Sequence, residues 1–251
     1  KHRAEARGLA FLSTPFDHGS ARLLRELGIG AFKLGSGELT NLPLLAEIAG
    51  YGLPMICSTG MADLDEVEAA ADTLRAHGDP PCAWLHCVSS YPAPEAQANL
   101  RAMDALRAAI GGPVGMSDHS AGDAVTLAAI ARGAAVIEKH LTLDSRAPGP
   151  DHAASLEPHA FKLLVERVRL VESALGDGVK RPAACERDVA EVARRSLVAA
   201  RDLPAGHVLT AADLAVKRPG TGMPPGRFAS VVGRTLRRAV TADQVLGEDD
   251  L

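Results

Sequence analysis

Six short apolar runs, each ending in small or polar residues, recur within the first 142 residues of the chain. They are Leu9–Thr14, Ala31–Ser36, Pro54–Thr59, Cys82–Cys87, Pro113–Asp118 and Ala134–Thr142. Their ends lie 22 to 31 residues apart, which is too far for hairpins and typical of strand–helix–strand crossovers. The runs therefore predict a parallel sheet.

Segments with apolar residues at helical spacing lie between and after these runs. The predicted helices are Ser20–Leu27, Leu42–Ala49, Leu64–Ala76, Asn99–Ile110, Gly122–Arg132 and Leu156–Leu175. Asp63, with Glu66 three residues later, predicts a capping box at the start of the third helix. Six βα units in series indicate an α/β fold in which helices cover the sheet.

The alternation of apolar runs and helical segments ends at Gly176, which marks a predicted domain boundary. Residues 1–176 form the predicted α/β domain, and residues 177–195 form a polar linker with a short helix. Residues 196–251 form a predicted small β-rich domain, because short strand-like pieces alternate with turns rich in Gly and Pro. These pieces are Ser196–Ala199, Val231–Val232 and Leu236–Ala239.

Composition excludes several classes of function. Lys and Arg number 27 against 31 Asp and Glu, so no strongly basic balance indicates nucleic acid or an anionic membrane as partner. No apolar run approaches the ~18 residues of a membrane span, and the first residues lack the apolar stretch of a signal peptide. Four cysteines in 251 residues do not indicate a disulfide scaffold. We therefore expect a reduced, cytoplasmic protein.

Polar side chains concentrate where the apolar runs end. They include Ser13, Thr14, Lys33, Ser36, Glu38, Ser58, Thr59, Ser89, Ser90, Tyr91, Ser117, Asp118, His119, Glu138 and His140. In a (β/α)8 barrel, or any parallel α/β sheet, the carboxyl ends of the strands build the active site. Lys33 lies inside an apolar run, where a buried lysine needs a partner. Lys33 and the hydroxyls suit a phosphorylated, anionic substrate, unless Lys33 lies on an edge strand in water.

Two histidines end successive predicted strands, His119 and His140, 21 residues apart. On neighbouring strands both rings could reach one divalent metal ion, with Ser117 and Glu138 on the same strand faces. Two imidazoles with oxygens from substrate and water suit Mn²⁺, Fe²⁺, Co²⁺ or Zn²⁺ better than Ca²⁺. From spacing alone, two separately hydrogen-bonded histidines are the alternative.

Taken in order, several segments resemble the sialic acid synthase family (N-acetylneuraminate synthase, NeuB-like). The matching segments are Phe11–Phe16, Phe32–Glu38, Ser58–Met61, Leu85–Cys87, Tyr91–Pro92, Gly115–His119, Glu138–His140 and Pro148–Asp151. The tail, including Val216–Gly220, resembles the family's antifreeze-like (SAF) domain. The resemblance covers essentially the whole chain and implies a (β/α)8 TIM barrel followed by a SAF domain.

The resemblance implies an activity: phosphoenolpyruvate condenses with an N-acylated hexosamine such as N-acetylmannosamine, giving a nine-carbon 2-keto acid and phosphate. It implies catalytic roles for Glu38, His119 and His140, the two histidines holding the metal. Mn²⁺ is the first expectation, with Mg²⁺ or Co²⁺ as alternatives. The implied substrate-binding residues are Thr14, Phe16, Lys33, Ser36, Ser58, Ser89, Tyr91, Ser117, Asp151 and Arg218. A homodimer is also implied, in which the SAF domain is exchanged and Arg218 reaches the partner's site.

Two departures from the family leave alternatives open. The family barrel begins with two more βα units, so we expect this chain to be a truncated form whose own activity is an open question. Ser89 and Ser90 stand where many sialic acid synthases carry an asparagine, a variant shared with legionaminic, pseudaminic and spore-coat sugar synthases. Other readings are a different barrel aldolase, a 3-deoxy-octulosonate-type synthase, or an inactive carbohydrate-binding or interaction module.

Overall fold

A computed structural model describes all 251 residues, Lys1–Leu251. Five strands form one parallel sheet in the order β1-β2-β3-β4-β5, so each strand pairs with the next along the chain. The strands are β1 (Phe32–Leu34), β2 (Met55–Ser58), β3 (Cys82–Cys87), β4 (Val114–Asp118) and β5 (Ile137–Lys139). A parallel order of this kind requires a crossover between every pair of strands.

Four helices supply these crossovers: α3 (Leu42–Ala49), α4 (Leu64–Ala76), α5 (Ala102–Ile110) and α6 (Ala124–Ala131). In the same compact unit, Lys1–Asp177, the helices α1 (His2–Glu5) and α2 (His18–Glu26) precede β1, and α7 (Pro158–Leu175) follows β5. The predicted capping box of α4 is confirmed, because the Asp63 carboxylate accepts from the Glu66 amide and Glu66 accepts from the Asp63 amide. The α/β prediction is thus confirmed at the level of a parallel sheet with helices.

The predicted first strand, Leu9–Thr14, is wrong. This segment forms no ladder, and β1 pairs only with β2. Leu9 and Leu12 lie exposed, 61% and 38%, so their apolar character does not mark a buried strand. A strand needs a neighbouring strand for its backbone groups, and this segment pairs with none in the structure. The sheet therefore has five strands rather than six.

Side chains alternate between the two faces of the sheet. One face packs under the helices and builds the aliphatic core. Its strand residues include Phe32, Leu34, Met55, Cys57, Trp84, Val114 and Met116. The intervening positions, such as Lys33 and Ser58, share the opposite face. The sheet curls around that face, since Lys33 on β1 contacts Glu138 on β5.

The second compact unit, Gly178–Leu251, contains a two-stranded antiparallel sheet. It comprises α8 (Arg187–Ala193), β6 (Ser196–Ala199), β7 (Leu214–Lys217) and α9 (Phe228–Val231). A separate aliphatic core includes Leu197, Leu209, Val231 and Leu236. Nowhere in the chain does a helix combine the length and the apolar character needed to cross a membrane.

Two predicted strand pieces of this unit are wrong. Val231 ends α9 and Val232 lies in the turn after it, because burial of Val231 in the core is achieved from a helix. Leu236–Ala239 is irregular, and only the flanking Thr235 and Val240 form isolated bridges, to Val208 and Leu203. Apolar residues separated by turns did not distinguish short strands from core-facing loops.

Candidate active site

The polar face of the curled sheet carries a hydrogen-bonded network around Lys33. Its Nζ donates to Ser58 Oγ and to the Leu34 carbonyl, each at 2.8 Å, and lies 3.4 Å from Glu138 Oε2. Ser117 Oγ donates to Glu138 Oε1 at 2.7 Å. The Lys33 side chain is only 12% exposed, so the predicted partner of a buried lysine is present. Although Lys33 lies on an edge strand, its side chain therefore faces the concave side of the sheet and not open water.

His119 follows β4 directly and is 5% exposed. Its Nδ1 lies 2.9 Å from the Val88 carbonyl oxygen, which can only accept a hydrogen bond, so Nδ1 carries the proton and the neutral ring has its lone pair on Nε2. Nε2 lies 3.4 Å from Ser117 Oγ on the polar face. Burial lowers the pKa of His119, but the hydrogen bonds with Cys87 and the Val88 carbonyl outweigh it and leave that pKa raised.

His140 follows β5, and its ring centroid is 5.1 Å from that of His119. Burial and the neighbouring His119 lower the pKa of His140, which favours the neutral ring. The Tyr91 ring packs against both imidazoles, tilted over His119 at a centroid distance of 4.2 Å and edge-on to His140 at 5.5 Å. Asp151 Oδ2 is 3.9 Å from His140 Nδ1. The structure thus brings the two predicted histidines, Tyr91 and Asp151 together.

A second group surrounds the Cys87 thiol at the end of β3. Cys87 Sγ lies 3.7 Å from His119 Nδ1 and 3.9 Å from Ser89 Oγ. Ser36 Oγ accepts from the Gly60 amide at 2.9 Å. A Cβ on Gly60 would lie 2.3 Å from Ser89 Oγ and 2.8 Å from Ser36 Oγ, so the absent side chain lets these hydroxyls converge. Burial raises the pKa of Cys87, but hydrogen bonds from His119, Ser36 and Ser89 leave it lowered.

Four predicted site residues do not join these networks. The Glu38 side chain bonds locally, at the end of its own 3-10 turn, where Oε2 accepts a hydrogen bond from Asn41 Nδ2 at 2.8 Å. Phe16 is 69% exposed, and Thr14 reaches only towards Gly35, where its Cγ2 would lie 3.9 Å from an added Cβ. Arg218 belongs to the second unit, where it is exposed and its Nε donates to the Ala193 carbonyl at 3.1 Å.

Two residues of the network were not predicted as site residues. Glu138 links Lys33 to Ser117, and Cys87 links the hydroxyl pair to His119. The strand register could have identified both residues, because it pairs Cys87 with Ser117 and Ser117 with Glu138. Residues paired in register share a face, so Ser117 indicates its two neighbours once the register is known.

The residues that could hold a metal are the two imidazoles. The structure contains no group of three or more His, Cys, Asp or Glu side chains arranged to hold a metal ion. Two imidazoles with centroids 5.1 Å apart fit a cation whose other ligands are oxygens of substrate and water, provided that His119 gives up the proton that its raised pKa favours. The protein itself supplies no closed metal cage.

The fold and the polar face together define a class. This is a parallel α/β protein whose titratable groups gather at the carboxyl ends of its strands, where enzymes of this architecture place their active sites. The sequence profile of the NeuB family matches residues 1–180, and that of the SAF domain matches residues 194–251. The chain belongs to the NeuB family and ends in a SAF domain.

Named relatives agree with this assignment. The chain is 43% identical to the N,N'-diacetyllegionaminic acid synthase of Campylobacter jejuni over 242 residues, covering 96% of this chain and 72% of the relative. It is 36% identical to the human N-acetylneuraminate-9-phosphate synthase over 248 residues, covering 98% of this chain and 69% of the relative. The chain is therefore an enzyme of the synthase class.

A solved structure is similar as well. The crystal structure of N-acetylneuraminic acid synthetase from Leptospira borgpetersenii, in complex with citrate, superimposes with a TM-score of 0.71 at 38% identity. The match covers 75% of this chain and 66% of that one. The chain thus spans about two thirds of the length of this solved relative.

Proposed function

We propose that this enzyme condenses phosphoenolpyruvate with the open-chain aldehyde of an N-acylated hexosamine, giving a nine-carbon sialic-type 2-keto acid and phosphate. The observation that carries the proposal is the single polar face that joins Lys33, Ser58 and Ser117 to the paired imidazoles. An anion-binding lysine and two imidazoles with available lone pairs are what a phosphorylated enol and an aldehyde require side by side.

The phosphoenolpyruvate end of the site is assigned to Lys33 and nearby hydroxyls. Lys33 neutralises negative charge, and Ser58 and Ser117 donate hydrogen bonds from the same face. Thr14, in the segment before α2, and Ser36, in the turn after β1, complete this set. A substrate anion would take the place of Glu138 as the partner of the Lys33 ammonium.

The hexosamine end is assigned to the groups near His140. Tyr91 and Asp151 border the His140 ring, and Ser89 lies on the loop that leads to Tyr91. Phe16, with its exposed ring, supplies an apolar contact to the sugar. Glu38 binds a sugar hydroxyl and moves a proton, which requires it to exchange its hydrogen bond with Asn41 for one with the substrate.

His119 and His140 would hold a divalent cation, Mn²⁺ first and Mg²⁺ or Co²⁺ as alternatives. Such a cation polarises the aldehyde and orients the two reactants when bound. The support from this chain is the tautomer of His119, which turns Nε2 to the polar face, and the low pKa of the His140 ring. The Val88 carbonyl fixes the orientation of the His119 ring, as partners of metal-binding histidines do.

The reaction balances without a further reactant beyond water. The C3 carbon of phosphoenolpyruvate forms a bond to the aldehyde carbon, and the aldehyde oxygen takes up a proton to become a hydroxyl. Water then adds to C2 and loses a proton. The C2–O bond breaks, phosphate leaves with the bridging oxygen and takes up the proton of the C2 hydroxyl, and the 2-keto group remains. Lys33 and the hydroxyls stabilise the negative charge of the departing phosphate.

The sugar that gives N,N'-diacetyllegionaminic acid is a second candidate substrate beside N-acetylmannosamine. Two observations favour it: Ser89-Ser90 before Tyr91, and the 43% identity to the Campylobacter jejuni synthase. The precursors of pseudaminic and spore-coat sugars are further candidate substrates. The four sugars differ at the hexosamine end and leave the chemistry of phosphoenolpyruvate unchanged.

The finer architecture is also proposed. The curl that joins β1 to β5 supports a (β/α)8 barrel of which this sheet is one continuous arc. We propose a homodimer in which the SAF domain is exchanged and Arg218 completes the partner's site. In support, Arg218 is exposed and its contact with Ala193 uses only Nε, so the terminal nitrogens remain for a ligand. Four free cysteines fit a cytoplasmic location.

A direct assay tests the proposed function. The protein is incubated with phosphoenolpyruvate, Mn²⁺ and either N-acetylmannosamine or the diacetylated sugar, and phosphate and the keto acid are measured together. The proposal predicts equal amounts of both products with at least one sugar. Binding of sugar without release of phosphate would indicate a carbohydrate-binding module instead, and phosphate without keto acid would indicate a phosphatase.

A further inference from the structure

A buried ion pair lies directly behind the two histidines. Asp118 Oδ2 and Lys139 Nζ are 3.1 Å apart, and their side chains are 1% and 0% exposed. The two residues are register partners at the ends of β4 and β5. Each immediately precedes one histidine, so they point to the helix-covered face while His119 and His140 point to the polar face.

The pair is part of a network that fixes the turn after β4. Asp118 Oδ1 accepts from the Ser120 amide at 2.8 Å, and Oδ2 accepts from Thr126 Oγ1 on α6 at 2.6 Å. Lys139 Nζ donates to the Ser120 carbonyl. The residues on both sides of His119 are therefore held by the strand that carries His140.

Stability alone does not explain this arrangement. A buried ion pair must offset the loss of hydration of two charges, and well-packed apolar residues often stabilise a core as well or better. The β5 strand has only three residues, so its ladder with β4 ends at the Asp118–Lys139 pair. Beyond this point the pair and its bonds to Ser120 tie the segment of His119 to the strand that carries His140. The other anchors of the two histidines, the Val88 carbonyl and the backbone bonds to Ala93 and Leu156, come from separate segments and do not join one histidine to the other.

We propose that Asp118 and Lys139 are positioning residues that set the distance and orientation of His119 and His140. The inference rests on the proposed function, since the histidines are the pair assigned there to hold the cation. Neither residue touches the substrate in this account. Their charges hold the two strand ends in one arrangement, and the imidazoles on the opposite face follow it.

The test uses a double variant that removes both charges and keeps a hydrogen-bonding pair, Asp118→Asn/Lys139→Gln. The single variant Asp118→Asn would leave the Lys139 charge buried without its partner and is expected to unfold more readily. The matched control is Asp123→Asn/Arg167→Gln, which removes an ion pair with greater solvent exposure between the start of α6 and α7. Melting temperature, Mn²⁺ affinity by calorimetry and a crystal structure are measured for each.

The double variant is expected to fold, to bind Mn²⁺ at least about tenfold more weakly, and to show the imidazoles displaced by more than the ~0.5 Å that a functional site tolerates. The control should keep both the affinity and the ring geometry of the wild type. Unchanged ring positions in the folded double variant would overturn the inference.

If the wild type binds no Mn²⁺, the metal assignment fails, and the ring positions still decide the positioning role. If the double variant is unfolded, a Thr126→Val variant, which removes one bond to Asp118, must show the same displacement to a smaller degree, or the inference is wrong.

Discussion

Lys33 Nζ and Glu138 Oε2 lie 3.4 Å apart, although β1 and β5 form opposite edges of the sheet. Neighbouring strands are about 4.8 Å apart, so a flat sheet of this order would separate the two edges by about 19 Å. The curl that closes this gap gathers onto one concave face side chains from all five strands, among them Lys33, Ser58, Cys87, Ser117 and Glu138. It also gives the buried Lys33 ammonium a carboxylate partner, which an anionic substrate would replace in the proposed reaction.

Removal of the Lys33 amino group is expected to weaken binding of phosphoenolpyruvate. In the Lys33→Ala variant, the loss of a charged hydrogen bond corresponds to an increase of KM by about 10- to 100-fold. The KM for the sugar should change little. Steady-state kinetics with each substrate varied in turn checks this, with the exposed Lys162→Ala as control. Unchanged kinetics with both substrates would remove Lys33 from the site.

The two histidines are expected to be required together for metal dependence. His119→Ala and His140→Ala should each abolish Mn²⁺ binding and activity, because one remaining imidazole cannot hold the cation in an otherwise open site. Calorimetry with Mn²⁺ measures the binding directly. The exposed His159→Ala serves as control and should behave as wild type. Wild-type turnover that survives complete chelation would contradict the metal assignment.

Much of the polar face could be predicted because strand alternation is a local property. Lys33 in an apolar run indicated a partner, and the spacing of His119 and His140 indicated neighbouring strands, as the structure has them. Alternation also places Ser58 and Ser117 on the face that carries Lys33. These inferences needed only two rules: successive side chains of a strand point to opposite faces, and the carboxyl ends of parallel strands lie at the same edge of the sheet.

What depends on pairing across the fold could not be predicted. Leu9–Thr14 has the composition of a strand, but whether a strand forms depends on a partner that lies elsewhere. The Lys33–Glu138 contact depends on curvature, which no local pattern encodes. Glu38 has a competing partner three residues away, Asn41, and the sequence does not show which contact prevails without substrate.

Complementation tests the proposed exchange of the SAF domain. The variants His119→Ala and Arg218→Ala are each expected to be inactive, because one lacks the metal ligand and the other the group that closes the partner's site. In a mixed dimer, one site receives neither substitution and should regain activity. Activity is measured after mixing, with subunit exchange followed by mass spectrometry. Exchange without recovery of activity would show that Arg218 does not act across protomers.

Acid should destabilise the second unit through Asp213. This buried carboxylate accepts hydrogen bonds from His207, Thr210 and Arg201, with the His207 contact the largest of the causes that hold its pKa well below the usual range. Because the folded pKa is lowered, the unfolded chain binds the proton more readily. The stabilisation is therefore present above the unfolded pKa of about 3.9 and is lost as the pH falls below it.

The variant Asp213→Asn should accordingly melt at a lower temperature than the wild type at neutral pH. Its melting temperature should also fall less steeply as the pH is lowered. Thermal melts of the second unit between about pH 6 and pH 2 check this, since that window contains the unfolded pKa and the acid side of it. The exposed Asp249→Asn is the matched control and should follow the wild type. An unchanged pH profile in Asp213→Asn would show that this carboxylate does not link stability to pH.

The fate of one oxygen atom tests the central claim most directly. Phosphoenolpyruvate labelled with ¹⁸O at the bridging C2–O position is incubated with the protein, Mn²⁺ and the N-acyl hexosamine, and both products are analysed by mass spectrometry. The account predicts that the label leaves with phosphate and that the 2-keto oxygen of the nine-carbon acid comes from water. Label retained in the keto acid, or in pyruvate without a condensed product, would contradict it.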